Sequence, residues 1–156
     1  MKGDPAQALR WIIRNNITDS SCNSYKAKGY TNGLTCSSQS RCQSCWVKNG
    51  CKAQSNAKIY SFKDISVVGG EEDIATEIMN SGPVVCGVAA TTGFKNYSKG
   101  IFEDSTRTLN HNHYVMVYGW GEEAGKKYWL VQNSYGPTWG EEGSIRIARG
   151  TNNLGI

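Results

Sequence analysis

The chain has 156 residues, enough for one compact domain, and its make-up is that of a folded protein: 38% hydrophobic, 19% charged, with 18 glycines and 3 prolines. That excludes a disordered charged tail, and the glycines keep no collagen period. Its 17 basic and 13 acidic residues leave a net charge of +4, scattered rather than blocked, which argues against a nucleic-acid or membrane patch.

The first residues, Met1-Lys2-Gly3-Asp4-Pro5, contain no apolar run, so no signal peptide is visible. No stretch reaches the ~20 apolar residues needed to span a bilayer. Residues 5–16 are predicted as a helix: Asp4 can cap it, Pro5 suits its first position, and Ala8, Leu9, Ile12 and Ile13 form an apolar stripe. Residues 20–56 are polar and rich in Gly, Ser and Cys, without a sustained period. Such a segment cannot build its own core and is expected to be pinned by disulfides.

Five of the six cysteines (Cys22, Cys36, Cys42, Cys45 and Cys51) fall within 30 positions, and only Cys86 stands apart. No histidine lies near them to complete a zinc set. Asn16-Ile17-Thr18 and Asn96-Tyr97-Ser98 are glycosylation triplets, which agree with the oxidising compartment that the cysteines suggest. A secreted character without a visible signal implies a true N-terminus upstream.

Further on, residues 71–80 are predicted as a short helix, with acidic residues in the first turn, Ile74 and Ile78 four apart, and Gly82-Pro83 to stop it. Residues 84–90 suggest a buried strand. Residues 114–120 and 127–132 suggest two strands joined by a loop over 121–126. Residues 144–149 place Ile145 and Ile147 on one face of a last strand. Few helices followed by several antiparallel strands predict an α+β fold.

Imidazole chemistry can use only His111 or His113, the two histidines of the chain. On an extended strand they would point to the same side. A metal pair would then lack a third ligand, so no metal site is expected. A polar loop without function and a catalytic imidazole at the head of a strand are the remaining readings.

The residues that follow bear on this choice. Asn112-His113-Tyr114-Val115-Met116-Val117-Tyr118-Gly119-Trp120-Gly121 is followed by Tyr128-Trp129 and by Asn133-Ser134-Tyr135-Gly136, then Trp139-Gly140. In order and spacing this resembles the papain-like cysteine peptidases, and the likeness runs from Gly3-Asp4-Pro5 to Ile156. In that family the first glycine of the Gly-aromatic-Gly turn follows the catalytic histidine by six residues; Gly119 stands six after His113 and eight after His111. His113 is therefore the expected catalytic residue.

The resemblance implies acyl transfer, with His113 as base and then acid, and Asn133 accepting its ring N–H. Tyr135, where the family usually has Trp, and Trp139 would shield that bond. Gly3, Pro5 and Asn112 match positions of the substrate cleft, and Lys2 replaces the first glycine of a usual Gly-Gly pair. The implied fold is papain-like, mostly the antiparallel, barrel-like right domain with a disulfide-rich segment and one or two short helices. Residues 1–58 would belong to the left lobe and 59–156 to the right. The implied partners are peptide or protein substrates and protein inhibitors of cysteine peptidases, with no cofactor, nucleic acid or membrane.

The family nucleophile precedes its histidine by ~130–150 residues, which places it before Met1. Gln39-Ser40-Arg41-Cys42-Gln43-Ser44-Cys45-Trp46 imitates its signature, but Cys45 lies only 68 residues before His113. No apolar helix follows it to lower the thiol pKa.

Within the family, the cysteine positions, Asn23-Ser24-Tyr25-Lys26-Ala27-Lys28, Gly82-Pro83-Val84-Val85-Cys86-Gly87, Trp120 and the 20 residues from His113 to Asn133 resemble the cathepsin X (or Z) branch. That branch implies bridges Cys22–Cys42 and Cys45–Cys51, partners for Cys36 and Cys86 outside the chain, carboxypeptidase action, and a lysosomal or secreted location. The chain by itself is expected to be inactive. The alternative is a non-catalytic fragment of the fold acting as a binding or decoy module.

Overall fold

The computed structural model describes residues 3–23, 25 and 37–156. The chain divides into two compact units, Met1–Ser66 and Val67–Ile156. Cys36, Lys2 and most of the segment from Ser24 to Lys28 lie outside the described residues.

The first unit opens with α1 (Pro5–Asn15). The Asp4 carboxylate accepts from the Ala6 and Gln7 amides at 2.8 and 3.2 Å, and Pro5 occupies the first turn. The helix stops at Asn16, whose φ of 60° cannot continue it. Of the expected stripe, Leu9, Ile12 and Ile13 are half-buried and Ala8 is exposed. Ile17 and Tyr60 then pair as an isolated antiparallel bridge. A short α2 (Ser38–Arg41) is closed by a reciprocal cap between Ser37 and Ser40. It leads into a hairpin of β1 (Gln43–Trp46) and β2 (Gly50–Ala53), in which Cys45 sits opposite Cys51.

This hairpin was not evident from hydrophobic pattern, because every residue of β2 is exposed. Disulfides join Cys22 to Cys42 and Cys45 to Cys51. Among the described apolar residues of the unit only Cys42 is fully buried. Covalent bonds stand here where a core would otherwise be needed.

The second unit begins with α3 (Glu71–Ser81), which carries Glu71, Glu72 and Asp73 in its first turn and ends at Gly82 with φ 106°. Its Ile74 and Ala75 are buried, and it packs on the sheet. The sheet holds β3 (Val84–Val88), β4 (Ile101–Phe102), β5 (His113–Glu123), β6 (Lys126–Gln132) and β7 (Ser144–Ala148), in the order β3-β5-β6-β7-β4. All pairs are antiparallel except β4 with β7.

The α+β class stands, but the sheet is open rather than a closed barrel, since β3 and β4 are its two edges. The edge position also corrects the expected buried strand at 84–90. Val88 is fully buried, whereas Val85 is 45% exposed. The expected loop at 121–126 is a tight hairpin instead. Glu123 pairs with Lys126, leaving Ala124 and Gly125 at φ 50° and 76°, the two left-handed positions of a type I′ turn.

The inward face reads off the alternation. Val115, Val117, Trp129, Val131, Ile145 and Ile147 are all fully buried, and Val88, Phe94, Tyr97 and Leu154 complete the core. Phe94 lies on α4 (Thr92–Lys95), whose cap is the Thr91 hydroxyl accepting from the Phe94 amide at 3.2 Å.

Candidate active site

His113 opens β5, and Asn133 follows the last residue of β6. Because these strands are antiparallel neighbours, the start of one and the end of the other meet at the same end of the sheet. Both residues also continue inward rows: His113 precedes Val115 and Val117 by twos, and Asn133 follows Trp129 and Val131 by twos. Strand pairing and pleat therefore bring together two side chains that lie 20 residues apart.

The contact is a hydrogen bond of 2.8 Å between His113 Nε2 and Asn133 Oδ1. The Ser134 amide donates to the same oxygen at 2.8 Å. An amide N–H must face an acceptor, so this atom is the oxygen, and Nε2 of His113 carries the proton. Nδ1 is thereby the basic nitrogen, available to a second group. The Asn133 amide donates to the Gly143 carbonyl at 3.0 Å, which anchors the residue to the loop before β7. Asn133 is 6% exposed, and its Nδ2 has no partner among the described residues.

Aromatic rings surround the pair. Tyr135 lies over the imidazole at 5.0 Å between centroids with a 31° tilt, and Phe94 meets it edge-on at 6.0 Å. Trp139 packs on Tyr135 at 5.5 Å and on Phe94 at 5.3 Å, and its indole N–H donates to the Lys95 carbonyl at 2.9 Å. Burial raises the Tyr135 phenol above its ordinary pKa.

Phe94 was missed in the sequence. The available signal was Thr91, a capping residue three positions earlier, but nothing local says which core the capped turn enters.

The loop that carries Tyr135 and Trp139 is tied down by an ion pair. Glu141 accepts from Arg146 Nε and Nη2, both at 2.9 Å, and from the Gly100 amide at 2.9 Å. Arg146 also pairs with Glu123. Hydrogen bonding from Arg146 holds the Glu141 carboxyl below the usual carboxylate range, against an opposing effect of burial. The Tyr97 hydroxyl donates to the Gly100 carbonyl at 2.6 Å, so the turn after α4 is held on both sides.

The other predicted residues fall elsewhere. His111 precedes β5, is exposed, and packs against Gly87 and Gly155, so the two histidines do not share a strand. Among the described residues no three His, Cys, Asp or Glu side chains are grouped to hold a metal. The Asn112 side chain accepts from the Ala90 amide at 2.8 Å, which fixes the entry to β5. Gly3 and Pro5 belong to the first unit, ahead of and in the first turn of α1. Cys45 is bonded to Cys51, so the imitation signature holds no free thiol. Cys86 has no disulfide partner among the described residues, and burial pushes its thiol up to about 11.

The family profile described as "Papain family cysteine protease" matches residues 1–156. A cathepsin Z of Onchocerca volvulus is 36% identical over 147 residues, 93% of this chain and 46% of that protein. A cathepsin B-like cysteine proteinase 3 of Ostertagia ostertagi is 34% identical over 116 residues, 74% of this chain and 67% of that one. The bromelain protease of Ananas comosus, solved in complex with the E64 inhibitor, superposes with a TM-score of 0.71 at 26% identity, covering 99% of this chain and 66% of that one. The chain spans about half the length of the cathepsin Z relative.

Proposed function

The chain belongs to the papain family of cysteine proteases, and from that premise we propose that the full-length protein hydrolyses peptide bonds, with this chain supplying His113 as acid–base catalyst and Asn133 as its orienting partner. The observation that carries this reading is the 2.8 Å bond from His113 Nε2 to Asn133 Oδ1 beneath Tyr135. It fixes one tautomer and leaves Nδ1 to take a thiol proton.

In the proposed reaction the thiolate attacks the peptide carbonyl, and His113 returns the proton to the leaving amine. Water then cleaves the thioester. Tyr135 and Trp139 shield the imidazole bond. The resemblance assigns Gly3, Pro5 and Asn112 to substrate contact, and the second unit carries the imidazole.

The nucleophile in this reading is a cysteine encoded ahead of the chain, ~130–150 residues before His113. Among the described residues four cysteines are held in disulfides, and the fifth, Cys86, is a poor thiolate because burial raises its pKa. Carboxypeptidase action in the manner of the cathepsin X branch rests on the resemblance, as does inhibition by protein inhibitors of such peptidases. The two disulfides support a lysosomal or secreted location.

The test uses the protein at its full natural length, assayed on fluorogenic peptides and labelled with E64. Hydrolysis and labelling are expected, with hydrolysis lost in His113→Ala and kept in Cys86→Ser. Cleavage by His113→Ala at the parent rate would overturn the assignment. Neither hydrolysis nor labelling in the full-length protein would favour the binding or decoy module.

A further inference from the structure

We propose that Asn96 carries an N-linked glycan, and that Asn16, the other glycosylation triplet, does not. The inference does not depend on the peptidase reading. It rests on the disposition of two otherwise similar triplets in the fold.

Asn96, Tyr97 and Ser98 follow α4 directly. Tyr97 is buried, with its ring against Phe102 at 5.9 Å and Trp139 at 5.7 Å, and its hydroxyl on the Gly100 carbonyl. With the middle residue turned in and pinned, the flanking Asn96 and Ser98 side chains are both exposed. Neither side chain makes a hydrogen bond to another described residue. The Asn96 backbone is already fixed by donation to Thr92, Gly93 and Phe94 carbonyls, so a sugar on the side chain breaks nothing.

Asn16 differs at each of these points. It is half-buried at the end of α1 with φ 60°, and it lines a cleft of about 640 Å³ in the first unit. The hydroxyl of its triplet, on Thr18, is engaged with the Arg41 carbonyl at 2.7 Å. A glycan here would have to grow out of the cleft and past that contact.

The disulfides Cys22–Cys42 and Cys45–Cys51 supply the second, independent observation. They belong to the oxidising compartment in which such transfer occurs. In the step itself, Asn96 Nδ2 forms a bond to C1 of the first N-acetylglucosamine of a lipid-pyrophosphate-linked oligosaccharide. The C1–oxygen bond breaks, the lipid pyrophosphate leaves with its electron pair, and Nδ2 gives up one proton.

The test is secretion of the full-length natural protein from a eukaryotic host, then peptide mass mapping before and after an amidase that removes N-glycans. A sugar on the Asn96 peptide and none on the Asn16 peptide is the expected result. Asn96→Gln and Ser98→Ala should each remove one glycan by gel mobility, Ser98→Thr should keep it, and Asn16→Gln should change nothing. An unmodified Asn96 peptide in the secreted protein overturns the proposal, and a glycan on Asn16 overturns the discrimination between the two sites. The mapping needs no variant, so a misfolded substitution cannot obscure the answer.

Discussion

His113 Nε2 and Asn133 Oδ1 are 2.8 Å apart, and the Ser134 amide holds the same oxygen from its other side. An asparagine gripped by its own successor cannot swing away without leaving the Ser134 donor unpaired. The imidazole is therefore presented in one orientation, with Nδ1 free.

Removing that grip should impair turnover more than binding. If the full-length protein acts as proposed, Asn133→Ala is expected to lower its kcat by about 10- to 100-fold and leave KM nearly unchanged, as for a group that orients a base. Steady-state kinetics on one peptide decide it. An equal rise in KM with unchanged kcat would assign Asn133 to substrate binding instead.

Tyr135 covers the bond from the solvent side while remaining 42% exposed itself. Aromatic pairs contribute about 0.5–1.5 kcal/mol beyond burial, so Tyr135→Ala should cost about 2- to 10-fold in kcat. Tyr135→Trp should restore or exceed the parent rate, because the larger ring extends the cover. A Trp variant no better than Ala would show that the ring's presence there is incidental.

The Glu141–Arg146 pair makes stability depend on pH. The folded Glu141 carboxyl titrates below its ordinary value of 4.5, mainly through Arg146. Its contribution is thus complete above that pH and is lost as pH falls through the lower, folded value. Thermal melts between about pH 5 and pH 3 should show a steeper loss of Tm for the parent than for Glu141→Gln. Parallel curves would show that the pair adds nothing.

Gly140 joins Trp139 to Glu141 with φ 58°, and an added Cβ would collide with the Ser144 carbonyl oxygen. The left-handed backbone alone costs a larger residue about 1–3 kcal/mol, and the backbone oxygen cannot move aside cheaply. Gly140→Ala should therefore destabilise by at least that amount in denaturant unfolding. Because the same turn carries Trp139, a red shift of its emission is expected alongside as its packing on Phe94 and Tyr135 loosens. Parent-like stability would mean that the loop can refit.

Parts of this protein were legible because their signals are local. Asp4 and Pro5 announce α1, Glu71 to Asp73 and Gly82 bracket α3, and Ile145 and Ile147 mark the inward face of β7. Other parts gave no local sign. β2 is exposed throughout, so no alternation marked the first hairpin, and the tight turn at Ala124 and Gly125 looked like a longer loop.

By itself the sequence determined the α+β class and the motif order, and through the family resemblance its spacing made His113 rather than His111 the expected catalytic histidine, since spacing along a chain is preserved whatever surrounds it. Only the tertiary structure decided that β3 is an edge strand with Val85 exposed, and that Phe94 reaches the imidazole. It also decided that Asn133 turns its oxygen rather than its nitrogen to His113. Each of these depends on which distant strand or turn lies alongside, and that is set by packing of the core around Trp129 and Val131 rather than by any neighbour in sequence.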